Sequence, residues 1–248
     1  MQQKHFTDEF MQEINTDNTF SESEKITVLR HLARLIDHKV NILITGESGC
    51  GKSSTINALF NAGKVKVEHG ATPETMEISK FELDNIVIYQ CPGLGDGKEA
   101  DERHSKNIID KLYEKDKNGD LLIDLVLVIL DGSTRASFTS FEFINNVIVP
   151  NLGQNKKRLL VAINKADMAM YGRVWNHSEN KPTHELEKFL EEKVSLTRNR
   201  IKEATGVDIE PIYYAAGYKD GNKPQNPYNL SKLLLCILKS TKTAFYKN

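Results

Sequence analysis

The sequence predicts a three-layer α/β fold: a mostly parallel sheet with one antiparallel edge strand and helices on both faces. Three observations carry that expectation. Strand-like and helix-like segments alternate from Val40 to Tyr246. The apolar run LLIDLVLVIL, Leu121 to Leu130, lacks the in/out alternation of a half-exposed strand and reads as one buried on both faces. A glycine-rich loop, GESGCGKSS, joins an apolar strand-like segment to a helix-like one.

The elements follow in order. Phe6, Phe10 and Ile14 hint at a short first helix. SESE, Ser21 to Glu24, has the capping-box pattern, and Ile26, Leu29, Leu32, Ala33 and Ile36 recur at helical spacing, so a helix is expected to run to about Asp37. These make an N-terminal helical extension, residues 1–38, ahead of one domain, 39–248. In that domain VNILITG is a strand and KSSTINALFN a helix. EISKFEL and NIVIYQ pair as antiparallel strands across a turn at Asp84-Asn85. DERHSKNIIDKLYEK is a helix, LLIDLVLVIL a strand, and SFTSFEFINNVIVPNL a helix as far as Pro150. KRLLVAIN, the long helix HELEKFLEEKVSLTRNRIKEAT, the strand IEPIYYAA and the helix YNLSKLLLCILKSTKTAFY complete the series. Residues 168–183 and 217–227 read as irregular loops.

A chain of 248 residues suits one large domain with appendages and can bury a substantial core. With 33 Lys+Arg against 34 Asp+Glu the net charge is −1, which gives no overall pull toward nucleic acid or membrane. Cys50, Cys91 and Cys236 are an odd set without metal-type spacing, so reduced thiols in a cytoplasmic protein are expected. The N-terminal residues are polar and acidic, unlike a targeting peptide. The most apolar run is too short to span a bilayer and contains Asp124, so no transmembrane segment is expected.

The chemistry lies in two motifs. Gly46, Gly51, Lys52 and Ser53 fit G-x-x-x-x-G-K-[ST] between a strand and a helix. Gly46, Gly49 and Gly51 let the backbone curl so that the N–H groups of Ser48 to Ser54, with Cys50 among them, surround a phosphate at a helix N-terminus. Lys52 adds a charge for the β and γ phosphates, and the Ser53 hydroxyl can bind magnesium. The bland alternative is a glycine-rich turn that contains a lysine; the complete pattern in this context speaks against it. The second motif, Asn164-Lys165-x-Asp167, follows a buried strand about 110 residues later. The Asp167 carboxylate can accept from two guanine N–H groups, a pairing that adenine does not offer. The stem of Lys165 can lie on the base.

With both motifs in this order, the stretch from about Val40 to Tyr246 resembles the Era-like P-loop GTPases, and in particular the YfjP-type prophage or "ribosome-binding" GTPases. The resemblance implies a P-loop GTPase fold, binding of GTP and GDP with Mg2+, hydrolysis of GTP, and a switch that changes a protein effector's binding; Gln90, a departure from the family pattern, is expected to make that hydrolysis slow. It implies that Thr72 is the switch-one threonine on magnesium, beside Ser53. Gly93, in QCPG, would offer its N–H to the γ-phosphate, and the Ala216 N–H would meet the guanine oxygen. Lys52, Thr72 and Gly93 are then the residues expected to carry catalysis.

Two departures bear on mechanism. Gln90 stands where the family has a carboxylate that holds a magnesium-bound water. Leu94 stands where many GTPases have a water-orienting glutamine. Assistance is then left to a cis residue, to K+, or to a nucleotide-dependent dimer; Asp96, Ser133 and Arg135 are the cis candidates, each with the plainer alternative of an ordinary solvated loop residue. Both departures favour a rival reading, a catalytically weak interaction or assembly module of septin-like kind. Ribosome or RNA binding is suggested by family labels alone, and the near-zero net charge weighs against it. Cys50 could be a reactive thiol at a helix N-terminus or a small residue that fits. Trp175, with Tyr171 and Arg173 nearby, could be an interface anchor or a cap on a satellite core.

Overall fold

The structure is a computed structural model that describes residues 21–35, 39–60, 78–83, 85–95, 97–134, 138–217 and 226–241. The strands are β1 (Val40–Gly46), β2 (Ser79–Leu83), β3 (Ile86–Gln90), β4 (Leu125–Asp131), β5 (Leu159–Asn164), β6 (Trp175–Asn176), β7 (Lys181–Pro182) and β8 (Ile212–Tyr213). The helices are α1 (Glu22–Leu35), α2 (Lys52–Phe60), α3 (Lys98–Tyr113), α4 (Phe138–Phe143), α5 (His184–Thr205) and α6 (Leu230–Ser240). Among the described residues the main sheet has the order β2-β3-β1-β4-β5-β8, and β6 and β7 form a separate hairpin. Every pairing in the main sheet is parallel except β2 with β3, which is the expected antiparallel edge.

β4 shows why the fold has three layers. Leu125, Leu127 and Ile129 pack on one face with β1, α2 and α6. Val126, Val128 and Leu130 pack on the other with α3, α4 and α5. Strand residues alternate faces, so a strand apolar at every position must be covered twice. Each such side chain, once buried, contributes about 1.5–3 kcal/mol. α1 lies against α6. α5 is bounded as its sequence suggests: the Thr183 side chain accepts from the Leu186 N–H, and Gly206 closes the helix in the left-handed region at φ 72°.

Several boundaries differ from expectation. β4 begins at Leu125: the Asp124 N–H still donates to Asn41 O at 2.9 Å, but the Asn41 N–H donates to the Asp124 carboxylate at 2.9 Å and not to a strand carbonyl. β8 pairs with β5 over two residues only, since Pro211 has no N–H to continue the ladder. α4 continues through a π-helical turn, Ile144–Ile148, into Val149–Asn151, so the wide turn falls just before Pro150, which cannot donate. The expected 168–183 loop holds the β6–β7 hairpin instead. The expected helix around Phe6 to Ile14 lies outside the described residues.

Parallel strands all end at one edge of the sheet. The loops after β1, β3, β4, β5 and β8 therefore converge there, where open α/β sheets place ligands.

Candidate nucleotide-binding site

The loop between β1 and α2 forms the floor of this edge. Lys52 is buried and its Nζ donates to Gly46 O at 3.1 Å and Glu47 O at 2.9 Å, so the charge sits inside the curl of the loop. Gly51 has φ 97°, and a Cβ there would meet Asn164 Nδ2 at 2.2 Å, so both conformation and space require glycine. Ser48, Gly49, Ser53 and Ser54 form an exposed rim. The first turn of α2 presents N–H groups that a helix cannot satisfy internally. Cys50 is fully buried, and burial pushes its thiol up against the opposing pull of Lys52. The reactive-thiol alternative therefore falls, and Cys50 is a small residue that fits.

Asn164 joins this loop to the base side. It is buried; its Nδ2 donates to Cys50 O at 3.0 Å and its Oδ1 accepts from the Ala216 N–H at 3.0 Å. The Ala216 amide, assigned by resemblance to the guanine oxygen, thus has Asn164 as its partner. The Ala166 N–H donates to Tyr214 O at 3.1 Å, which ties the ends of β5 and β8 together. Asp167 is only 7% exposed, and burial raises its carboxyl above the usual carboxylate range despite bonds from its own backbone N–H and that of Met168. Lys165 adopts the left-handed region at φ 61° and its Nζ lies 2.6 Å from Asp131 Oδ2.

At the other flank, Gln90 Nε2 donates to Ser53 Oγ at 3.0 Å. That places the amide beside the hydroxyl chosen for magnesium. Among the described residues no group of three or more His, Cys, Asp or Glu could hold a metal ion. A neutral hydroxyl and amide suit a cation delivered with a polyanionic ligand, not a free ion. Leu94 is buried; the Ser48 N–H donates to Leu94 O at 2.8 Å and the Leu94 N–H to Gly46 O at 3.3 Å. Gly93 is pressed on the loop, since a Cβ there would lie 2.6 Å from Ser48 Cα.

Thr72, Asp96 and Arg135 lie outside the described residues. Ser133 is no freely solvated residue: its N–H and hydroxyl both donate to Asp131 Oδ1. Trp175 is 5% exposed and meets Tyr228 edge-to-face at 5.2 Å, so it caps a satellite core with Leu186 and Leu190. Asp131, Thr55, Tyr214 and Lys193 support the site and belong to neither motif. The one sequence signal for Asp131 was a carboxylate at the end of an otherwise apolar strand.

Comparison with known proteins agrees with this geometry. A family profile described as "50S ribosome-binding GTPase" matches residues 41–165. Mouse mitochondrial 5-taurinomethyluridine-[tRNA] synthase subunit GTPB3 is 29% identical over 136 residues, 52% of this chain and 26% of that one. Probable GTP-binding protein EngB of Neisseria meningitidis serogroup B is 32% identical over 114 residues, 45% of this chain and 53% of that one. The chain thus spans between a quarter and about half the length of these curated relatives. Among solved structures, Toc33 from Arabidopsis thaliana in complex with Mg2+ and GMPPNP superposes with a TM-score of 0.58 at 14% identity, covering 94% of this chain and 96% of that one. LeoA, a bacterial dynamin GTPase from ETEC, gives 0.57 at 14% identity, covering 96% of this chain and 41% of that one. At such identities the likeness is one of fold. By the family match over half its length, together with a P-loop fold whose phosphate loop and N-K-x-D motif meet at one edge, this chain belongs to the P-loop GTPase family described as 50S ribosome-binding GTPase.

Proposed function

We propose that the protein binds GTP and GDP, hydrolyses GTP slowly with Mg2+, and acts as a switch whose output is altered binding of a protein effector. The observation that carries this reading is the Asn164 side chain, which bonds the phosphate loop through Cys50 O and the base side through the Ala216 N–H. In this reading the amides of the loop, Lys52 and Ser54 hold the phosphates. Asp167 accepts from the guanine N–H groups, and the Lys165 stem covers the base. Gly93 offers its N–H to the γ-phosphate. Ser53 and Thr72 would hold Mg2+, which when bound offsets phosphate charge; Gln90 would accept from a water on it. An amide lacks the carboxylate's charge, so magnesium coupling is weaker and turnover slow. The motif order supports an Era-like, YfjP-type member. Free cysteines fit a cytoplasmic setting, and among the described residues no helix is long and apolar enough to cross a membrane.

Leu94 cannot orient a water, and its burial favours a second reading, a GTP/GDP-binding assembly module with little catalysis. A second copy of the chain or K+ is the candidate source of assistance. Dimerization is important for the GTPase activity of the chloroplast translocon components atToc33 and psToc159, which have a similar fold.

Calorimetric titration with GDP, GTP and ATP, followed by single-turnover hydrolysis across a magnesium series with and without potassium, tests the reading. GDP and GTP should bind and ATP should not; equal affinity for ATP and GTP overturns it. Gln90→Asp should lower the magnesium requirement and speed hydrolysis. If wild type and variant both bind GTP and neither hydrolyses it, the assembly-module reading stands instead.

A further inference from the structure

Asp131 ends β4 directly opposite Asn164 of β5. Its carboxylate is held from two sides. Oδ1 accepts from the Ser133 N–H at 2.8 Å and from the Ser133 hydroxyl; Oδ2 accepts from Lys165 Nζ at 2.6 Å. The loop beneath is fixed in turn. Lys193 reaches across from α5 and donates its Nζ to the carbonyls of Asp131, Gly132 and Thr134. The Gly132 N–H donates to Asn164 O at 2.6 Å, and a Cβ on Gly132 would sit 2.4 Å from that oxygen.

An exposed Lys–Asp pair contributes little, because two mobile side chains must be held in one geometry. This pair differs. The Asp131 side chain is only 14% exposed and is already immobilised by Ser133, so only Lys165 loses freedom on pairing. Burial alone would raise the Asp131 carboxyl, but the bonds from Lys165 and Ser133 outweigh it and hold the group below the usual carboxylate range. The carboxylate is therefore a fixed anion aimed at the lysine of the N-K-x-D motif.

We infer that Asp131 is a positioning residue for the guanine site: it orders the Lys165 side chain before nucleotide arrives, with Ser133 and Lys193 as the frame that fixes Asp131 itself. The inference rests on the guanine-nucleotide reading above. A lysine stem that must cover a base loses rotamer freedom on binding; ordering it in advance removes that cost from the binding step. The role is one of affinity and not of base choice, which stays with Asp167.

A double-mutant cycle in GDP affinity tests it, with wild type, Asp131→Asn, Lys165→Met and the double variant. Asparagine keeps the size and an acceptor for Ser133 and removes the charge. Asp131→Asn should weaken GDP binding about three- to tenfold, the range for one long side chain left unordered. In the Lys165→Met background the same change should cost less than about twofold. Ser133→Ala, which leaves the ion pair intact, should give a smaller loss that also vanishes in that background. An equal loss in both backgrounds would mean that Asp131 acts through the loop and not through Lys165, and overturns the inference. So does an unchanged affinity in the single variant. Failure of the guanine reading looks different: wild type would not bind GDP at all. If Asp131→Asn does not fold, the Ser133→Ala cycle decides by the same criterion.

Discussion

Asp167 has two opposing demands on it. To accept from guanine N–H groups, the role proposed for it, it must be ionised, yet its burial disfavours the ionised form and raises its carboxyl. For an acid whose folded value lies above its unfolded one, the folded state holds more protons, so stability falls as pH rises through the interval between the two values. Above that interval the destabilisation is complete. Asp167→Asn should therefore raise the melting temperature of the nucleotide-free protein at neutral pH. The gain should shrink as pH falls into the acid carboxylate range, while GDP affinity drops at neutral pH. Thermal melts at pH 5 and 7.5 check the sign; an asparagine variant that melts lower than wild type at pH 7.5 contradicts it. Lys52, Asn164 and Asp167 were legible in the sequence because a motif fixes each one's distance from a loop. Asp131 was not, because its partner is set by the β4–β5 register, which puts it across from Asn164. Nothing in the run LVLVILD distinguishes that carboxylate from any polar residue at the end of a strand.

Between α2 and β8 runs a link that no motif describes. Tyr214, just past β8, is fully buried and its hydroxyl lies 2.6 Å from Thr55 Oγ1 on α2. Thr55 already donates to Gly51 O at 2.8 Å, so Tyr214 is the donor. Burial pushes its phenol up, which keeps that proton in place. Tyr214→Phe keeps the ring and removes one hydrogen bond, so it should cost about 0.5–1.5 kcal/mol in a urea denaturation series. Combined with Thr55→Val the two losses should not add, because both variants break the same bond. Full additivity would show that the pair is not coupled. Elements with long, regular patterns, such as α5 and the buried strands, were legible in the sequence. The β6–β7 hairpin was not, because strands of two residues carry no period; tertiary packing of Trp175 on Leu186 and Leu190 holds it. The π turn was equally hidden, although Pro150 marks where the regular helix had to change.

The whole domain has a chemical end and a structural end. Its nucleotide edge collects the loops after the parallel strands, as the alternation of strands and helices foretold. The opposite end is fastened by Arg158, which lies just before β5 and is 4% exposed. Its Nε donates to Leu152 O at 3.1 Å and its guanidinium to Ile123 O at 2.8 Å. Burial lowers its pKa, against the pull of Asp124. Arg158→Met keeps the apolar stem but leaves two carbonyls without this donor. At about 1–3 kcal/mol for each buried group left unsatisfied, the variant should lose roughly 2–6 kcal/mol of stability. A six-residue strand separates the two ends by about 20 Å, and no hydrogen bond of Arg158 reaches the site. GDP affinity of the folded variant should therefore stay within about twofold of wild type. A ligand that binds only the folded state stabilises by an amount set by its concentration and affinity. Saturating GDP should accordingly raise the unfolding free energy of wild type and Arg158→Met by the same increment. Denaturant titrations with and without GDP measure both quantities. A lower baseline with an equal increment is the expected result; a diminished increment would show that the fastening at one end reaches the nucleotide loops at the other.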